Sequence, residues 1–455
     1  MKTRMNFKDE FYQKLKLLVL PIAIQNFMLA LVSATDAIML GWIDQTSLSA
    51  VSLAGQVQFV LSLFISGIAA GAGIMAAQYW GKQDAASIEK VIPIALRTNL
   101  LFSGLFTILA GFLSRNADAH LYEMSAPGCK RKPVFTRCCT LLRTLRYFAG
   151  LSDPAENTGH AAVSSRISST AVVLNIILNA ILIYGLCGAP ALGIRGAAYA
   201  TVAARVVELI WAYLETKKPE RVRILWNRLF SSAGKILSED FWRYTLPVLA
   251  ASLVWGIAYV LYSVIMGHMG SDAVAANSIT SIAKSLLSCL IRGVSGGAGV
   301  LIGNLLGADE LEKAREYGGR LTHLAIAIGV VTGGLLMLIS PAIVHFAPLT
   351  DTAAEYLQYM LLFCGLNLMA QSVNTTVLDG IFCAGGDAKF DMQGNIGAMW
   401  CFSVPLGFLA AFWLKLPVMV VYCIVNLDEI VKLPAVYLHY KKYVWVRNIT
   451  RDIEE

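Results

Sequence analysis

Asp36 is an acid inside an apolar run, Leu18 to Ile43 (LVLPIAIQNFMLALVSATDAIMLGWI), that is long enough to cross a bilayer. A carboxylate at that depth costs roughly 2.5–3.5 kcal/mol on insertion scales, so its retention marks a polar cavity and a group able to take up and release a proton. The alternative places Asp36 near the end of the span, in reach of interfacial water. Pro21 lies about four turns earlier, removes one helix hydrogen bond and predicts a bend. Asn175 and Asn179 are four apart in VVLNIILNAILIYG and share one helix face, where interhelical hydrogen bonding and function are both open readings. Trp255, Tyr259 and Tyr262 recur at helical spacing, which suits a wall for a flat cation by cation–π contact or a plain packing stripe. Asp379 and Glu429 are further candidates for proton carriage. Arg205 with Glu208, and Asp428 with Lys432, are spaced three and four apart and read as structural ion pairs. None of the six histidines sits in a metal or triad arrangement and the nine cysteines form no CxxC pair, so no enzyme, cofactor, zinc site or disulfide framework is expected.

These residues need a membrane scaffold to position them. Only 15% of the 455 residues are charged, against about 25% in soluble proteins, and the mean hydropathy is +0.61, which predicts an all-α integral membrane protein. Apolar windows of helical length fall near 17–42, 56–80, 91–113, 162–187, 193–215, 241–267, 273–306, 319–345, 353–384, 392–414 and 416–438. Basic residues gather at the amino terminus (Lys2, Arg4, Lys8, Lys14, Lys16), in a hydrophilic linker (Lys217, Lys218, Arg221, Arg223, Arg228, Lys235), after the 273–306 window (Lys313, Arg315, Arg320) and at the carboxy terminus (Lys441, Lys442, Arg447, Arg451). The positive-inside rule makes all four cytoplasmic. An even number of spans must then separate the first two clusters. Five are visible, so one is missing between Leu113 and Ala162.

An internal duplication leads to the same conclusion. Adding 226 carries Leu20 onto Leu246, Pro21 onto Pro247, Gly41 onto Gly267, Leu61 onto Leu287, Gly67 onto Gly293, Gly71 onto Gly297, Gly73 onto Gly299 and Gly81 onto Gly307. Proline bends, at Pro21 and Pro247, and close glycine contacts are the features such copies must keep. Two parallel copies predict two six-helix lobes related by an axis along the membrane normal: residues 1–216, a cytoplasmic linker at 217–240, and residues 241–455. Where the fourth helix belongs, Pro127 to Glu156 instead read PGCKRKPVFTRCCTLLRTLRYFAGLSDPAE, with six basic residues. Correct length with the wrong chemistry predicts a compensated pair of frameshifts. Synonymous codons exist for Cys129 to Glu156 that spell an apolar span when read one nucleotide later. A genuine basic loop is the alternative.

TDAIMLGWI with LSAVSLAGQVQFVLSLFISGIAAGAGIMAAQYWGKQD, the matching GHMGSDAVAANSI with SGGAGVLIGNLLGADE, and CAGGDAKF resemble the multidrug and toxic compound extrusion (MATE) family of cation-coupled antiporters. The resemblance covers the chain except 127–156. It implies twelve transmembrane helices in two lobes around a cavity that opens alternately to each side. It also implies an ion-coupling set on the amino-terminal lobe, whose positions match Asp36, Asn175, Asn179 and Thr201. Asn179 departs from a family carboxylate, which weakens a Na⁺ cage and leaves Asp36 as the principal titratable group. The acid that one branch carries in mid-seventh helix has no match in LPVLAASLVWGIAYVLYSVIMG.

The expectation is therefore a monomeric, multi-pass inner-membrane exporter of small, cationic and aromatic organic compounds, working against a lipid bilayer with no nucleic-acid partner. Protons are the coupling ion, with Na⁺ at Asp36, Asn175, Asn179 and Thr201 as the alternative. Trp255, Tyr259, Tyr262 and Asp379 are the cavity candidates. Two other readings remain: a lipid-linked sugar flippase, for which Arg97, Arg166 and Arg292 would line the cavity, and an inactive product of the damaged fourth helix.

Overall fold

The computed structural model describes residues 7–41, 45–123, 161–188, 190–218, 234–347 and 349–452; the side chains of 7–9, 33–34, 36–58, 107, 109–123 and 194–195 lie outside the described set, as does the whole 127–156 segment. Among the described residues every regular element is a helix, because in lipid each backbone amide must find its partner within its own segment. The first half contributes α1 (Phe7–Gly41), α2 (Gln45–Gly81), α3 (Ala85–Glu123), α4 (Ala161–Tyr184) and α5 (Ile194–Thr216). The second contributes α6 (Lys235–His268), α7 (Ser271–Gly307), α8 (Leu311–Phe346), α9 (Asp351–Phe382), α10 (Ala388–Trp413), α11 (Val418–Val425) and α12 (Asp428–Tyr440). Nine of the described helices are long and apolar enough to cross a membrane. α1 and α6 run unbroken through Pro21 and Pro247.

Within the first half α4 packs on α1 and α5, and α2 on α3; within the second, α9 packs on α7, α8 and α12, and α10 on α6. The halves meet through α1 against α7, α2 against α6, and α2 against α7. This contact obeys the 226-residue repeat. A Cβ built on Gly67 would stand 2.8 Å from Leu249 Cα, and one on its counterpart Gly293 would stand 2.6 Å from Cβ of Ala23, the counterpart of Leu249. Gly71 is likewise pressed on Thr245 and Gly297 on Val19, and Gly81 on Asn304 and Gly307 on Gln78. Each glycine lets two backbones touch, and a methyl at any of these places would have to push the halves apart.

These contacts run from the middle of the helices to one end of the molecule, where α1 begins, α2 ends, α6 begins and α7 ends. The carboxy-terminal tail closes that end further. Trp445 is fully buried against Gly318 and Gly385. Gln78, also fully buried, donates through Nε2 to the Ala384 carbonyl at 2.7 Å and accepts at Oε1 from the Ile449 amide at 2.8 Å, so one side chain of α2 ties α9 to the tail. Arg451 reaches Asp240 of α6 at 2.8 Å, and Lys82 reaches Asp452 at 2.6 Å. The hydrogen bond and charge of Lys82 hold the Asp452 carboxyl below the usual carboxylate range.

The twelfth span departs from its continuous window at 416–438. It breaks at Asn426 and Leu427 into α11 and α12. Asn367 of α9 fills the gap: its Nδ2 donates to the Asn426 carbonyl at 2.6 Å while its Oδ1 accepts from Lys284 at 3.0 Å. The break creates a new helix start that begins with Asp428 and Glu429, the end of a helix where acids are favoured. α9 and α10 in turn widen into π-helical turns at Thr375–Phe382, Ile396–Ser403 and Leu409–Trp413. Such turns recur at functional sites because they re-aim side chains.

Candidate functional site

The structure brings together three of the four residues assigned to ion coupling. Asn175 and Thr201 meet across α4 and α5, Nδ2 to Oγ1, at 3.2 Å, and Asn179 Nδ2 donates to Asn175 Oδ1 at 3.3 Å. Both asparagines are buried, and Thr201 returns its own proton to the Ala197 carbonyl at 2.9 Å. The Asp36 side chain lies outside the described residues, but its backbone can be placed. α1 and α4 both rise from the closed end, where Phe11 and Ala161 share one core cluster, and Ser164 donates to Gln25 at 3.4 Å. Asp36 and Asn175 each lie eleven residues beyond that contact along their own helices.

The second polar region lies in the other half. A cavity of about 380 Å³ opens between α2, α6, α7, α9, α10 and α12. Trp255, Leu63, Ile74 and Val248 are among its apolar lining, and Asp379, Asp391, Glu429, Arg292 and Lys432 bring three acids and two bases to it. Asp379, on the π-helical turn of α9, is exposed to this cavity and makes no hydrogen bond or ion pair among the described residues. Asn374, one turn before it, is 2% exposed and leaves its Oδ1 unpartnered in the same wall. A carboxylate without a partner and an indole lining one cavity are the kinds of group that bind an aromatic cation. A larger cleft of about 680 Å³ at the closed end has mostly apolar walls, broken by Lys14, Gln83, Asn304 and Glu310, and offers no comparable grouping.

The aromatic trio divides. Trp255 and Tyr259 stack at 5.5 Å between centroids, and Phe59 of α2 joins both at 6.5 and 6.2 Å, so the wall spans the two halves. Tyr262 instead packs into the core with Met399, Val404 and Val425. Of the three arginines a flippase would need, Arg292 lines the cavity, Arg166 is exposed and bonds the Ala162 carbonyl, and Arg97 is not among the lining residues. Arg205 and Glu208 pair at 2.5 Å, with Ser168 on the other carboxylate oxygen at 3.1 Å.

The pair Asp428–Lys432, spaced for a surface contact, turns out to be the edge of a buried network. Lys432 is 5% exposed, and its ammonium touches Asp428 Oδ2 at 3.3 Å, Glu429 Oε1 at 3.3 Å and Asn395 Oδ1 at 3.1 Å. Asn395 donates on to Asp391 at 3.1 Å, and Asn374 donates to Glu429 Oε2 at 2.8 Å. The i, i+4 spacing announced the first pair; Asn374, Asn395 and Asp391 are contributed by other helices and carried no signal in the sequence.

The MatE family model matches residues 21–125 and 247–409, two stretches that begin at Pro21 and its repeat partner Pro247. The chain is 20% identical to the uncharacterized transporter YisQ of Bacillus subtilis over 94% of this chain and 93% of that one. It is 25% identical to the probable multidrug resistance protein NorM of Agrobacterium fabrum, over 84% and 83%. Its fold superposes on the MATE transporter VcmN of Vibrio cholerae with a TM-score of 0.81 at 15% identity, covering 96% of this chain and 99% of that one. It also superposes, at a TM-score of 0.80 and 19% identity over 95% of each chain, on an outward-facing multidrug resistance MATE transporter. With the family model covering more than half of the chain, this protein belongs to the multidrug and toxic compound extrusion (MATE) family of membrane transporters.

Proposed function

We propose that this transporter exports cationic aromatic compounds in exchange for protons, with Asp379 and Trp255 holding the cargo and Asp36 carrying the proton. The observation that supports the cargo site is the unpaired Asp379 carboxylate in a cavity that Trp255 also lines. Acids outnumber bases around that cavity, which favours a cation over the pyrophosphate of a lipid-linked sugar. Coupling belongs to Asp36 with Asn175, Asn179 and Thr201; a proton needs one acid, whereas Na⁺ would ask the two amides and the hydroxyl for its remaining oxygens. The basic end, closed by the tail, faces the cytoplasm of the cell in this reading.

Protonation of Asp36 and loading of cargo must favour opposite arrangements of the halves, because a ligand drives a change only through differential affinity. A one-for-one exchange of a proton for a monovalent cation moves no net charge, so the pH difference drives it: each pH unit supplies about 1.4 kcal/mol and supports roughly a ten-fold cargo gradient. Proteoliposomes loaded with a fluorescent aromatic cation test the proposal. Export driven by a proton gradient, and unaffected by an imposed Na⁺ gradient, is expected. Export driven only by Na⁺ reverses the coupling assignment, and movement of a lipid pyrophosphate in place of the cation restores the flippase reading.

A further inference from the structure

Lys432 is surrounded as a bound metal cation would be. Three hard oxygens from two helices, Asp428 Oδ2, Glu429 Oε1 and Asn395 Oδ1, converge on its ammonium at 3.1–3.3 Å. Each of these groups is itself fixed. Glu429 is oriented by Asn374 of α9, Asn395 by Asp391 of α10, and Asp428 opens the helix that the break at Asn426 creates, a break held by Asn367 and Lys284. The remaining charged groups around the cage are Asp379 from α9, Asp391 from α10, and Arg292 and Lys284 from α7. Asn374 Oδ1, buried and unpartnered in the same wall, is one more oxygen of the type that ligates alkali cations.

We propose that this cage is a monovalent-cation site occupied by the chain's own Lys432 ammonium, so that the carboxy-terminal half carries a tethered cation where a free one would otherwise bind. The physical argument is balance of charge. Three carboxylates, Asp391, Asp428 and Glu429, are sequestered together, and without Lys432 they must acquire a proton or a cation from solution, since uncompensated ions are not tolerated at that burial. A tethered ammonium cannot leave, so Na⁺ and K⁺ are excluded from this half. The exchangeable coupling site is then confined to the other half, and Asp379 stays free for cargo. That last consequence rests on the proposed transport reading, but occupancy of the cage does not, and it is measured without transport.

The experiment is thermal unfolding of purified full-length protein in NaCl, KCl and choline chloride at equal ionic strength. In an Asp36→Asn background, which silences the other site, the protein with Lys432 intact should unfold at one temperature in all three salts. Lys432→Ala in that background should gain about 2–4 °C in NaCl or KCl over choline, as expected for ligation of a freed site. Ethylammonium, the missing end of the lysine, should give the same gain, and Lys432→Arg should remain indifferent to the salt. A well-folded Lys432→Ala protein with one midpoint in every salt and in ethylammonium would overturn the proposal, because a purely structural ion pair leaves no site to fill. Should Lys432→Ala fail to fold in every salt, Rb⁺ binding to the Asp36→Asn protein decides. No saturable binding supports a cage already filled, whereas saturable binding that is lost on Glu429→Gln overturns it.

Discussion

Asp379 alone among the cavity acids has no hydrogen bond or ion pair among the described residues, and the proposed cargo role rests on that difference. Asp379→Asn keeps the volume and removes the charge. Losing a charged partner of this kind costs about 1.5–3 kcal/mol, so affinity for a fluorescent aromatic cation should fall roughly 10- to 100-fold while a neutral aromatic of similar shape binds unchanged; fluorescence titration reads both. Asp36→Asn should do the opposite, leaving binding of the cation intact and abolishing its proton-driven accumulation in proteoliposomes. Undiminished concentrative export by that variant would remove Asp36 from the coupling role.

Among the helices, the broken twelfth span is the most demanding element, because freed backbone groups at membrane depth need new partners. Asn367 supplies one and also accepts from Lys284. Asn367→Ala strips a half-buried carbonyl and a half-buried ammonium of their partner at once, and should lower stability by about 1–3 kcal/mol, read as a drop in the unfolding temperature of purified protein. Asn367→Asp, which keeps the acceptor for Lys284 but not the donor for Asn426, should fall between the two. The 127–156 segment makes its own prediction. A gene repaired to encode an apolar span at Cys129–Glu156 should raise yield, unfolding temperature and transport together, because Arg137 and Arg143 each cost roughly 2.5–3.5 kcal/mol near a bilayer centre. Equal values for both proteins would make the basic segment native.

At the scale of the whole molecule, the repeat-related glycine contacts and the tail hold the halves together at one end, and the proposed exchange requires that end to part. Ala77, 2% exposed beside Gly303 at the centre of the contact, is a reporter for it. An Ala77→Cys protein should resist a membrane-impermeant maleimide, and Gly307→Ala, whose new methyl meets the Gln78 backbone, should make it react several-fold faster. Deleting the chain from Arg447 onward should have the same effect, because it removes the partners of Gln78, Lys82 and Asp240. Unchanged labelling in both variants would mean that neither the glycines nor the tail restrains opening.

Much of this architecture was legible in the sequence because hydropathy and repetition are local or periodic signals. Pro21 and Pro247, Gly67 and Gly293, and Gly81 and Gly307 declared the duplication, and the structure makes those same glycines the contact between the halves. The spacing of Asn175 and Asn179 placed them on one face, and Thr201 completed the group by resemblance to the family. What the sequence could not convey was the surroundings of Lys432. Its i, i+4 partner Asp428 suggested a surface pair, yet burial comes from Asn395 on α10 and Glu429 held by Asn374 on α9, residues brought together only when the twelfth span breaks. Apolar period and length are properties of one helix and are written along the chain; the neighbours of a buried charge belong to three helices at once, and only tertiary packing decides which of them arrive.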